Sequence, residues 1–367
     1  MRAADPPRPP AALWWLPALS TPDLSLDWSL AQWQLVVRLG RRLRLLGRLA
    51  EQIDAAGLAG RLPAQVQRHL VAEMRASRWQ TGALVWGLER VAAALGDVSH
   101  PKVLLKGAAY IGQGLPIARG RLPSDLDILV PQQAIAAAQS SLQAAGWREH
   151  ELDPHDQHYY HAWSHEVPPM QHPALQLELD LHHNILPPVG HVRVDVDLLL
   201  ARLQPSVWPG WQVLHPEDQV LHSAAHLFYD SDLRDRLRDL VDLDGLLRHF
   251  AAMPGFWSSL HQRARRLGLV EPLALALSLC QHWLATPVPA AALQSARQVG
   301  LPWWQRLWLL PMLRSVLLPI DPDAQEPLGR TLAAAALLVR HHRRRLPLRL
   351  LVPHVWHKLQ VSQRSEV

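Results

Sequence analysis

Cysteine is almost absent. The 367 residues contain one, Cys280. A single thiol excludes an internal disulfide framework and fits a reducing cytoplasm, so the expected location is cytoplasmic. Long apolar runs are missing as well. Leu267 to Leu284 is interrupted by Glu271, Gln281 and His282, and Thr331 to Val339 is too short for the hydrocarbon core. No membrane span is expected. The first residues carry Arg2 and an apolar patch from Ala11 to Leu19, but Asp5, Pro6, Pro7, Pro9 and Pro10 make a poor signal peptide. They read instead as a proline-rich leader feeding a helical region. No internal repeat is found. What remains is a chain that is 49% hydrophobic, enough for a substantial core and long enough for two or three domains.

Net charge is +5, and much of the basicity lies from Arg340 to Arg349, with Lys358 and Arg364 beyond. Such a tail can meet a polyanion, or it can simply be a solvated arginine-rich helix end. Sixteen tryptophans, including Trp303, Trp304 and Trp308, sit mostly on helical patterns beside leucines. They could cover a site, contact a partner or fill a core.

Hydrophobic periodicity divides the chain in three. Residues 24 to 98 read as helical, with Leu35, Leu39, Leu43, Leu46 and Leu49 at helical spacing, then helices over Val66 to Met74 and Thr81 to Leu95. Val103-Leu104-Leu105 is a short strand. A helix begins at Ala108, and Leu126 to Val130 is a strand stopped by Pro131. Gln132 to Ala145 is a helix closed by Gly146, and Leu175 to His182 alternates as a half-exposed strand. From Pro216 the pattern is helical again, with helices expected at 218–229, 233–250, 258–268, 271–285, 289–299, 303–317 and 327–345. Asp230/Arg234, Asp232/Arg236 and Arg238/Asp242 stand at i, i+4 spacing. The expected class is α+β: a leader and helical region over 1–98, a small mixed-sheet core over 99–200, and a helical region with a basic tail over 201–367.

The chemistry concentrates in Lys106-Gly107-Ala108 and in Arg121-Leu-Pro-Ser124-Asp125-Leu-Asp127-Ile-Leu-Val130. Alternate side chains of a strand share a face, so Asp125 and Asp127 point together while Leu126 and Ile128 point into the core. Two carboxylates at close range repel, and the arrangement makes sense if a divalent cation sits between them.

These blocks, with Leu179-Asp180-Leu181-His182 after them, resemble the DNA-polymerase-β-like nucleotidyltransferase superfamily. Within it they are most similar to the bacterial family of uncharacterised nucleotidyltransferases, whose pattern runs Leu-Lys-Gly, Arg-x-x-x-Asp-[Ile/Leu]-Asp-x-Leu-Val, then an acidic residue two before a His. The similarity spans roughly residues 80 to 250, with His222, His226 and Asp242 in a helical part that also looks like the family's. The resemblance implies a Mg²⁺-dependent (or Mn²⁺-dependent) transfer of an NMP from an NTP such as ATP to an acceptor hydroxyl. It implies that Asp125 and Asp127 hold the metal, with Asp180 as third carboxylate and Glu178 as its rival on the same strand face. Lys106, Gly107, Ala108, Arg121 and Ser124 would meet the nucleotide phosphates, Arg121 steadying either the loop or the triphosphate. The wider superfamily has Gly-Ser or Gly-Gly in the phosphate turn; Gly107-Ala108 lacks that hydroxyl. The acceptor, whether small molecule, RNA or protein, is not specified.

Two other readings stay open. One is a non-catalytic descendant that binds a nucleotide or a partner. The other is a histidine-rich metal-dependent hydrolase using the cluster His155, His158, His161 and His165 among the chain's 21 histidines. His222 and His226 have metal-compatible i, i+4 spacing, but Ser223-Ala-Ala225 stands where metalloprotease helices carry a glutamate.

Overall fold

The computed structural model describes residues 14–96, 100–151, 160, 163–174 and 177–345. The N-terminal helices are α1 (Leu30–Arg42), α2 (Leu46–Ala55) and α3 (Ala64–Ala94). Ser29 caps α1 by accepting from the Gln32 amide, while the Gln32 side chain accepts from the Ser29 amide. The leucine repeat expected to run through Leu49 breaks at Arg44, whose φ of 54° ends one helix before the next begins. The two helices expected over 66–74 and 81–95 are instead one, because nothing between them is a Gly or Pro breaker.

The core elements are β1 (Val103–Leu104), α4 (Lys106–Ile111), β2 (Asp125–Leu129), α5 (Ile135–Ala144), β3 (Arg148–Glu149), β4 (Met170–Gln171) and β5 (Glu178–His182). Then come α6 (Val196–Leu200), β6 (Gln204–Pro205) and β7 (Gln212–Val213). The seven strands form one mixed sheet in the order β3-β4-β5-β2-β1-β7-β6. β2 is central, parallel to β5 and antiparallel to β1. The β7–β6 edge comes from residues beyond 200. Five of the strands are two residues long; β1 shows as an apolar run, whereas β3, β4, β6 and β7 leave no periodic trace in the sequence. The fold is α+β, as the pattern predicts.

The C-terminal helices are α7 (Pro216–Phe228), α8 (Leu237–Phe250), α9 (Phe256–Leu267), α10 (Val270–Leu284), α11 (Ala290–Gly300), α12 (Trp303–Leu317) and α13 (Leu328–Arg345). α10 is apolar on nearly all sides because α7, α8, α9 and α11 surround it. The i, i+4 pairs expected around Asp230 do not form, since the helix starts only at Leu237. Arg236 instead reaches Asp230 at 2.8 Å, and the Asp232 amide donates to Asp230 Oδ1. Trp303, Trp304 and Trp308 lie on the exposed side of α12 rather than in the core. Arg340 and Arg344 turn inward onto Glu271. Arg349, Lys358 and Arg364 fall outside the described residues, as does most of the proline-rich leader. Among the described residues no helix is long and apolar enough to cross a membrane.

Candidate active site

The loop leading into β2 is fixed before the strand begins. Gly120 has φ of 68°, and its backbone lies directly against that of Gly47 in α2, where no side chain fits on either residue. Ser77 of α3 donates to the Arg121 carbonyl at 3.1 Å, and Arg48 donates to the Ile117 carbonyl. Arg121 itself is buried. Its guanidinium pairs with Asp242 of α8 at 3.0 Å, lies over the Tyr110 ring, and packs against Gly107 in the space a Cβ would need. Burial alone would lower the Arg121 pKa; Asp242 outweighs it and keeps the group charged. Gly107 is therefore a glycine because Arg121 passes beneath it. Asp242 was expected to pair with Arg238 along the helix; Arg238 turns instead to the Leu122 carbonyl, and Asp242 faces Arg121.

β2 leaves this loop with Leu126 and Ile128 fully buried on one face. The other face carries Asp125 and Asp127. Parallel pairing with β5 sets Asp125 beside Glu178, Asp127 beside Asp180 and Leu129 beside His182. Asp127 and Asp180 thus share a face on adjacent strands. Oxygen atoms of these two carboxylates and a ring nitrogen of His182 lie within 4.8 Å of one another. Asp125 stands one pleat earlier and accepts from the Ser124 hydroxyl at 2.8 Å. Glu178 is half-exposed at the far end, accepting from Gln171 and lying 3.6 Å from His150.

Lys106 begins α4 with φ of 43°, a left-handed conformation that is costly for a residue with a Cβ. That turn brings Nζ to 2.6 Å from Asp127 Oδ1. His182 Nε2 donates to the same oxygen at 3.1 Å. Burial pushes the Asp127 pKa up, but Lys106 and His182 hold it well below the usual carboxylate range. Burial opposes charge on Lys106; Asp127 and Asp125 reverse this and hold it above an ordinary lysine. His182 is raised too, because its bond to Asp127 and the charge of Glu166 overcome burial. Asp180 feels His182 as well, but more weakly than it feels burial and Asp127. Burial, and then the negative charge of Asp127, push its pKa up to about 7.

The profile of the family described as "uncharacterised nucleotidyltransferase" matches residues 29–285. The chain belongs to that family. Comparison with curated proteins and with solved structures finds no match. Family membership supports a general role in nucleotidyl transfer. The matched span contains every residue of the acidic face, and it also takes in α2 and α3, whose Gly47, Arg48 and Ser77 hold the Arg121 loop.

Lys106, Asp127, Asp180 and His182 are brought together. Arg121 and Gly107 meet each other beneath them, and buried Ala108 contributes no hydroxyl. Glu166, 3.3 Å from His182 Nδ1, carried no sequence signal, since it sits on an isolated bridge to His182 rather than in a patterned strand. A cavity of about 170 Å³ adjoins the group, lined in part by Lys106, His182, His222 and His226. Burial, then Lys106, pushes the His222 pKa down to about 3, and burial also holds His226 well below its ordinary value. Both are neutral helix residues, and His226 Nε2 accepts from Arg236 at 2.8 Å. His155, His158 and His161 lie outside the described residues.

Proposed function

We propose that the protein transfers an NMP from an NTP to an acceptor hydroxyl with Mg²⁺ (or Mn²⁺) bound at the acidic face. The observation that carries this reading is the register of β2 against β5, which sets Asp127 beside Asp180 in a buried, polar corner. The donor set suits a hard cation: oxygen ligands from two strands, one of them a carboxyl group pushed up to about 7 by burial and by the charge of Asp127. Asp127 and Asp180 would hold the ion, with Asp125 reaching it from one pleat earlier. When bound, it supplies charge neutralisation for the triphosphate.

The remaining work falls to the chain. Asp180 accepts the proton of the acceptor hydroxyl as its oxygen bonds to the α-phosphorus; the α–β bridging bond breaks and pyrophosphate leaves with that electron pair. Lys106 balances Asp127 and presents its ammonium to a phosphate oxygen. Arg121, buried against Asp242, holds the Gly107 turn and the entry to β2 in place rather than reaching for phosphate. Ser124 orients Asp125 through its hydroxyl. The acceptor class is tested with an α-³²P-labelled NTP and a cell extract separated into small-molecule, RNA and protein fractions. Label entering one fraction with wild type and not with Asp180→Asn supports the reading and names the class. Label entering no fraction counts against it.

A further inference from the structure

His182 sits between two carboxylates that it uses differently. Its Nε2 faces Asp127 Oδ1 at 3.1 Å, and an ionised carboxylate only accepts, so Nε2 carries the hydrogen. Its Nδ1 points the other way, buried, 3.3 Å from Glu166 Oε2 but in a geometry that makes no hydrogen bond. The ring of His165 lies beside it with centroids 5.5 Å apart, and His165 Nε2 is 3.8 Å from the same Glu166 oxygen. His165, Glu166 and His182 therefore offer ligand atoms that all lie within 4.8 Å of one another. Backbone bonds set this convergence: the amides of His183 and Asn184 both donate to the His165 carbonyl, and Glu166 bridges His182 directly.

We propose a transition-metal site, with Zn²⁺ as the fitting ion, formed by His165, Glu166 and His182 Nδ1. Three features argue for it. Two imidazoles and one carboxylate make a borderline-soft donor set, unlike the oxygen-only carboxylates of Asp127 and Asp180. A ligating histidine characteristically donates its other ring N–H to a carboxylate, which fixes its tautomer; Asp127 does this for His182. The three residues also line the cavity described above, which leaves an open side for a water or another small ligand as fourth partner. The site shares one wall with the nucleotide site but not its ligands, and it stands whether or not nucleotidyl transfer is observed.

The test uses the full chain, stripped with a chelator and titrated with Co²⁺, whose visible d–d absorption reports nitrogen and carboxylate ligands in a four-coordinate site. The expected result is one Co²⁺ per chain, displaced by one equivalent of Zn²⁺ and not by excess Mg²⁺. Glu166→Gln and His165→Ala, both at partly exposed positions, should abolish the band. Asp127→Asn should weaken binding about 10- to 100-fold through loss of the charged partner that orients and polarises His182. Asp125→Asn removes a carboxylate outside the cluster and should leave the band intact. Circular dichroism of each variant shows whether it is folded. A folded wild type with no Co²⁺ band, or a band unchanged in both Glu166→Gln and His165→Ala, overturns the proposal. A folded wild type that shows the band but performs no nucleotidyl transfer would count against the transfer reading alone.

Discussion

The guanidinium of Arg121 occupies the space that a side chain at Gly107 would need. This contact ties the turn after β1 to the loop before β2, and Asp242 anchors it from α8. Gly107→Ala should displace Arg121 from Asp242. Asp242→Ala should leave a buried guanidinium uncompensated, costing about 3–5 kcal/mol. Because both changes break the same contact, the double variant should lose less than the sum of the singles. Denaturant unfolding of the four proteins checks this, and strict additivity would count against the linkage.

Asp180 and Glu178 separate cleanly. Asp180→Asn should cut transfer by two orders of magnitude or more, on the order of a lost charge-stabilising group. Glu178→Gln should stay within a few-fold of wild type, because Glu178 faces Gln171 and His150 at the half-exposed end of β5. Equal losses from the two would show that the third carboxylate has been misassigned.

The same Asp180 carries a cost to the fold. Its folded pKa, about 7, lies above the ordinary carboxylate value, so metal-free protein is penalised at pH above 7, and the penalty is relieved as pH falls through 7 towards 4. Asp180→Asn should therefore be more stable than wild type at pH 8 without metal, with the gain shrinking at pH 5. Thermal melts at the two pH values in chelator measure it; a destabilised variant at pH 8 would contradict the assignment.

Much of this site was legible in the sequence, and the limits have physical causes. Asp125 and Asp127 could be placed on one strand face by period-two alternation alone, and the Leu179 to His182 block identified the partner strand. The register that puts Asp180 rather than Glu178 beside Asp127 is a tertiary fact. Arg121 read equally well as a phosphate ligand or a loop clamp until its partner on α8, 121 residues away, was in view. Glu166 was invisible because a single bridge residue has no periodicity. Long helices such as α10 and α12 matched the pattern closely; of the two-residue strands only β1, an apolar run, was legible, and β3, β4, β6 and β7 were not.

His222 acts on stability in the opposite direction to Asp180. Its folded pKa, about 3, lies below the ordinary histidine value near 6.5. The contribution is intact above pH 6.5 and is lost as pH falls from there towards 3, because the unfolded chain takes up a proton that the folded chain refuses. His222→Gln should flatten the decline in unfolding midpoint between pH 7.5 and 5 relative to wild type. An unchanged slope would mean that His222 is not kept neutral.

The central claim is that the β2–β5 acidic face binds an NTP with a divalent cation. Isothermal titration of each NTP, with and without Mg²⁺, into wild type and Asp125→Asn/Asp127→Asn tests it most directly. The account predicts Mg²⁺-dependent binding by wild type that is lost in the double variant. Binding of no NTP by folded wild type, or equal binding by the double variant, would contradict it.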